Sequence, residues 1–307
     1  MLLTLAVSSL KTLLRKDAAD AGGRLAPLDV PMFARRELGL HGLNVPAWLL
    51  SGWTVAELER LRDVADKAAC PCLILVDDEA LDLGAASAPA RQGALERFSK
   101  LTTAASRLGC NALAISCKGP AAASEQCFER TVEAMKATFG VIDRLELNVL
   151  IRPSSGMLDD PTRLTELIKR VGGFRIGSLP DFGHARKSKE PALTLRKLAP
   201  YAGAIHATIE GFGADGRHSG CDLAACVEAI QSVGYQNTLA IEYVGKPDAV
   251  AAILKARDLL IHAISGEDPT AAPDEEGPTA EGPDEQGDAG GPEEGGTEDQ
   301  TEEREDE

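Results

Sequence analysis

Short apolar runs alternate with helical patterns eight times within about 264 residues of this chain, and few architectures accommodate that rhythm. The expected strands cover residues 2–8, 41–45, 73–76, 112–115, 147–151, 174–177, 204–210 and 238–244. Helical patterns follow at 27–38, from Val55 onward, and at 94–108, 123–144, 161–171, 190–200 and 221–233. The last begins at Pro247 and runs to about residue 264. Two helix starts carry explicit signals. Thr54-Val55-Ala56-Glu57 is a capping box, and Asp160-Pro161 sets a cap residue before a proline at the first helical position. Strand–helix alternation calls for a parallel sheet, and eight units at this length call for a closed α/β barrel, the (β/α)8 TIM barrel. An open doubly wound sheet competes, but no Gly-x-Gly-x-x-Gly turn follows the first strand. Residues 9–26, 80–93 and 211–220 read as loops.

Charge divides the chain in two. The total of −16 belongs to the end: residues 267–307 hold 18 acidic residues and one basic one, Arg304. The first 266 residues are left at +1. The chain thus reads as a barrel over 1–265 and an acidic Pro/Gly/Glu-rich tail over 266–307. With almost nothing apolar in it, the tail cannot offset ordering entropy and is expected to be disordered. A balanced body argues against a nucleic-acid partner. No apolar run reaches transmembrane length, which argues against a membrane partner. The apolar N-terminus lacks a preceding basic residue and reads as a strand, not a leader. Seven cysteines in a long chain suggest buried, reduced thiols and a cytoplasmic setting, not a disulfide framework.

Chemistry concentrates at the C-terminal ends of the late strands, where a barrel of this type builds its site. Asp181 and His184 follow the sixth strand, His206 lies on the seventh, with Thr208 and Glu210 on its face, and Glu242 ends the eighth. Carboxylates and imidazoles are the donors a divalent Mn, Mg, Co or Zn ion takes. The plain alternative for Asp181 is a backbone cap at a strand-to-helix turn. Asp77-Asp78-Glu79, after the third strand, reads first as loop solvation, with Asp77 a lesser candidate.

These residues carry a resemblance. Leu179-Pro180-Asp181-Phe182-Gly183-His184, Ala204-Ile205-His206-Ala207, Phe212-Gly213-Ala214-Asp215-Gly216 and Ile241-Glu242-Tyr243 resemble the sugar phosphate isomerase/epimerase family of xylose isomerase-like barrels. The likeness is specific over residues 147–262 and rests on rhythm before that. It implies a divalent metal held by a Glu on strand five, an Asp on strand six, a His on strand seven and a Glu on strand eight. On that basis Asp181, His206 and Glu242 would be ligands, and His184 would meet a small sugar or polyol. Glu242 and His184 would serve proton transfer next to the sugar carbonyl. The strand-five position departs from the pattern, because it reads Arg152. Two expectations follow. Either the chain is a metal-dependent isomerase or epimerase, with Arg152 pointing away and Glu210 or a water completing the site, or Arg152 takes the metal's place between Asp181 and Glu242. In the second case the pocket, with Arg152 and Glu210 on its wall, only binds a small polyol or acid.

Overall fold

The computed structural model of the chain describes residues 1–15, 24–120, 125–246 and 248–266. Eight parallel strands form one sheet: β1 (Leu2–Ala6), β2 (Leu43–Pro46), β3 (Cys72–Val76), β4 (Ala112–Ile115), β5 (Asn148–Ile151), β6 (Ile176–Ser178), β7 (Ala204–Ile209) and β8 (Thr238–Tyr243). The hydrogen-bonded order is β6-β5-β4-β3-β2-β1-β8-β7, so the first strand pairs with the last, as a barrel requires. The seam between β6 and β7 is narrow. Single bridges join Ser178 to Ala202 and Asp181 to His206, and the His206 N–H donates to the Pro180 carbonyl at 2.9 Å.

The helices that cover the sheet are α1 (Val30–Arg36), α2 (Val55–Lys67), α3 (Ala88–Arg107), α4 (Glu125–Ala137), α5 (Phe139–Arg144), α6 (Pro161–Val171), α7 (Phe182–Ala185), α8 (Pro191–Leu198), α9 (Leu223–Gln231) and α10 (Ala249–Ser265). Both start signals operate as read. Thr54 and Glu57 close a reciprocal capping box at α2, and the Asp160 carboxylate accepts the Thr162 N–H at 2.8 Å, at the head of α6. The final helix is capped by Asp248, whose carboxylate accepts the Val250 and Ala251 N–H groups. Pro247, read as its start, lies outside the described residues, as does the acidic segment 267–307.

Several boundaries moved. The loop expected over 80–93 is half helix, because Pro89 sits in the first turn of α3, where its missing N–H costs nothing. The single helix expected over 123–144 is two, α4 and α5, meeting at Thr138; residues 121–124 lie outside the described residues. The sixth strand starts two residues later than read. Phe174, taken as its first buried residue, is 85% exposed.

Strand residues alternate between two packing environments. Leu3, Leu5, Val45, Leu75, Leu113, Val149, Ile205 and Ile241 join the large core beneath the helices. Ile74, Val76, Ala112, Ala114, Leu150, Leu179 and Ala204 form a separate cluster in the barrel interior. A strand's period of two produces this division. At the seam the fit is tightest: a Cβ on Gly177 would come within 2.6 Å of the Tyr201 carbonyl oxygen and 3.3 Å of Leu150 Cδ2. Gly177→Ala is therefore expected to cost about 2 kcal/mol, since a backbone atom cannot move aside as a side chain can. Urea unfolding checks this, and unchanged stability would mean that the seam opens to admit a methyl group.

Candidate functional site

Register brings the late-strand residues together at the C-terminal mouth. Thr208 pairs with Glu242 and His206 with Ala240 across β7 and β8, while Asp181 bridges to His206. After β1 the chain turns through residues Val7–Leu10 and docks onto β8: the Tyr243 N–H donates to Ser9 Oγ at 2.8 Å. That contact aims Ser8 at the mouth, where its hydroxyl donates to Glu242 Oε1 at 3.0 Å.

His206 is almost fully buried and sits between two partners. Asn44 Nδ2 lies 3.0 Å from Nε2, and Glu242 Oε2 lies 2.9 Å from Nδ1. An amide N–H can only donate, so Nε2 is the acceptor and the ring proton resides on Nδ1, directed at Glu242. Burial alone would raise the Glu242 carboxyl. The His206 ring, Arg152 and the Ser8 hydroxyl outweigh it and hold the group down at about 2, so it is a carboxylate at neutral pH. Asn44 Oδ1 and Thr4 Oγ1, both buried, have no hydrogen-bond partner.

Asp181 serves the turn. Its Oδ1 accepts the Gly183 N–H at 2.9 Å, capping α7, and also the Thr208 hydroxyl. The space behind Gly183 is closed, since a Cβ there would lie 2.9 Å from Thr208 Cβ. His184 Nε2 stands 3.3 Å from Asp159 Oδ1. Glu210 pairs with Arg186 and accepts no contact from His206 or Glu242 among the hydrogen bonds of the described residues.

Arg152 leaves β5 at the mouth but does not insert between Asp181 and Glu242 as expected. Its Nη1 donates to Asp78 Oδ1 at 3.3 Å, across the mouth from β3, and its charge reaches Glu242 without a hydrogen bond. Burial first, then Glu242 and Asp77, push the Asp78 carboxyl up against the pull of Arg152. Asp77, the candidate of that trio, is instead a buried anchor: Arg97 on α3 grips it with Nε at 3.1 Å and Nη2 at 2.7 Å. Sequence reading missed Ser8, Asn44 and Asp78. The one signal available for Asn44 was a polar residue inside an apolar strand.

Two cavities open at this end. One of about 390 Å³ is lined by Ser8, Lys11, Trp48, Asp78 and Glu242. The other, about 260 Å³, is lined by Asp181, His184, Lys187, Thr208 and Glu210. A larger cavity of about 670 Å³ opens at the strands' N-terminal ends, around Asn111, Asn148 and Phe174. It holds no acid–base pair, and barrels of this type do their chemistry at the other end.

The donor set does not fit a divalent metal. A His ligand needs one bare ring nitrogen. His206 Nε2 is spent on Asn44 and Nδ1 carries its proton to Glu242. Arg152 adds a fixed positive charge that acts on Glu242 from its place beside Asp78. Among the described residues, no three His, Cys, Asp or Glu side chains gather as a metal-holding group.

Comparison with known proteins bears on the fold. The family model described as xylose isomerase-like TIM barrel matches residues 34–262. Among solved structures, an L-ribulose 3-epimerase superposes with a TM-score of 0.71 at 13% identity, covering 86% of this chain and 94% of its own. The IolI protein with a bound zinc atom gives 0.68 at 13% identity, covering 88% and 100%. A probable 3-DHS dehydratase from Bacillus anthracis gives 0.65 at 15% identity, covering 85% and 99%. Identities this low establish the shared barrel and leave the chemistry open. None of the curated proteins compared matches this chain in sequence.

Proposed function

We propose that this chain, which belongs to the xylose isomerase-like TIM barrel family, binds a small polyol or hydroxy acid at its barrel mouth without a divalent metal. The engagement of both His206 nitrogens carries this reading. Glu242 and Asp181 present carboxylate oxygens that accept from sugar hydroxyls, and Ser8 and Thr208 add hydroxyl partners. Arg152, His184 and Lys187 supply positive or donor groups for an acid function on the ligand. Trp48 offers an aromatic face on the wall of the Glu242 cavity, and rings of this kind pack against the apolar side of a sugar. A carboxylate as weakly basic as Glu242 is a poor proton abstractor at neutral pH, which favours binding over turnover.

A second reading has one specific support: Asp181, His206 and Glu242 lie at adjoining strand ends, the positions from which a metal-dependent isomerase or epimerase would act. In that case Asn44 would have to release Nε2 or Glu242 release Nδ1 before His206 could serve. Thermal shifts of the full chain separate the two. With chelator present, one or more ketoses, alditols or sugar acids are expected to raise the midpoint, and Mn²⁺, Mg²⁺, Co²⁺ and Zn²⁺ alone to leave it unmoved. A midpoint that responds to sugar only after metal is added would overturn the metal-free reading in favour of the isomerase.

A further inference from the structure

Five of the seven cysteines are buried. Burial pushes Cys70 up to about 11, Cys72 to about 12 and Cys117 to about 12, and it raises Cys110 as well. These four are inert packing. Cys221 and Cys226 are placed differently. Asp222 caps α9, its Oδ1 accepting the Ala225 N–H at 3.1 Å. Cys221 is thus the residue before the cap and Cys226 the fourth of the helix, the two positions whose side chains pack together at a helix entry. In most helices that pair is apolar; here both members are thiols.

The surroundings give the two sulfurs unequal roles. Cys226 is buried, whereas Cys221 is half-buried and lines a cavity of about 580 Å³ beside Arg217, Leu259 and His262. His218 faces Cys221 from the preceding turn. The Glu210 N–H donates to its Nε2 at 3.0 Å, and the Cys221 N–H points at its Nδ1 from 3.1 Å. That nitrogen lies 3.0 Å from the Cys221 carbonyl and 3.6 Å from its Sγ. Gly220 makes this approach possible, because a Cβ there would come within 2.7 Å of His218 Cε1.

From this cluster we infer that Cys221 and Cys226 form a hydroperoxide-reactive dithiol, in which Cys221 attacks, Cys226 resolves and His218 supports the attacking sulfur. The Cys226 thiol comes first among the influences that bring the Cys221 thiol down, with His218 and Arg186 also acting against burial. Cys221 in turn, then burial, pushes Cys226 up and keeps it protonated. In the first step the Cys221 thiolate attacks one peroxide oxygen: an S–O bond forms and the O–O bond breaks. The departing alkoxide or hydroxide takes a proton from solvent, leaving a sulfenic acid at Cys221. In the second, Cys226 gives up its proton and its sulfur attacks the Cys221 sulfur. The S–S bond forms, the S–O bond breaks, and the hydroxyl leaves with that proton as water. One dithiol and one hydroperoxide yield one disulfide, one alcohol or water, and one further water.

The test uses the full chain and hydrogen peroxide, followed by alkylation of remaining thiols and peptide mapping. The expected product is a Cys221–Cys226 link, lighter by about 2 Da than the dithiol form. Cys226→Ser should stop the reaction at a sulfenic acid on Cys221 that a 1,3-dione traps, and Cys221→Ser should leave Cys226 unoxidised. Without any variant, iodoacetamide at pH 6 should label Cys221 at least about tenfold faster than Cys127 or Cys226, since the thiolate is the reacting form. Oxidation of Cys127 ahead of Cys221, or equal labelling rates at pH 6, would overturn the assignment.

Discussion

Arg152→Glu is expected to raise the affinity of the barrel mouth for a divalent metal. The substitution removes a guanidinium whose charge already reaches Glu242 and supplies the strand-five carboxylate that the family pattern calls for. Two unit charges about 4 Å apart interact by about 4 kcal/mol at an effective dielectric near 20, and the exchange reverses one of them. Metal affinity should therefore rise at least about 100-fold, once Glu242 turns from His206 toward the ion. Little stability is at stake, because the Arg152–Asp78 pair is partly solvated, at 21% and 44% side-chain exposure. Titration calorimetry with Mn²⁺ and Zn²⁺ on both proteins measures the gain. Arg152→Gln, which removes charge without adding a ligand, should recover only part of it. Stoichiometric metal in the unaltered chain would sink the idea at once.

A second large effect lies in acid. The Glu242 carboxyl ionises at about 2 in the fold, against 4.5 for the ordinary group. A group lowered in this way stabilises the folded state at pH values above 4.5, and the contribution is lost as pH falls through 4.5 toward 2. The gap corresponds to roughly 3 kcal/mol at neutral pH. Because Glu242 is only 14% exposed, solvent screening removes little of it. Glu242→Gln keeps an acceptor for His206 and drops the charge. Native and variant chains should differ in unfolding free energy at pH 7, differ by about half as much at pH 3, and converge only at about pH 2 and below. A difference that persists unchanged at pH 3 would mean that the carboxylate contributes through shape and not through its charge.

Both predictions depend on contacts that were partly legible beforehand. The barrel was legible because its signals are local: strand period, helix period, the Thr54 box and the Asp160-Pro161 start each act within a few residues. Boundaries failed where local signals compete. Ala88–Arg107 starts in a stretch rich in small residues that also reads as loop, and Phe174 is apolar yet points to solvent. The positions of Asp181, His206 and Glu242 at one end of the barrel followed from the same rhythm, since parallel strands deliver their C-terminal ends to one face.

Partnership was another matter. Asp181 had two readings in the sequence, ligand or cap, and its bond to the Gly183 N–H shows the cap in place. Arg152 was expected between Asp181 and Glu242 but reaches Asp78, 74 residues away. Ser8 meets Glu242 across 234 residues, and Asn44 meets His206 across 162. The chain's own order determined which residues stand at the mouth, because strand and helix periods are written residue by residue. Only the closed barrel decided which of them hold one another. A hydrogen bond depends on distance and direction at about 3 Å, and neither exists until distant strands lie side by side.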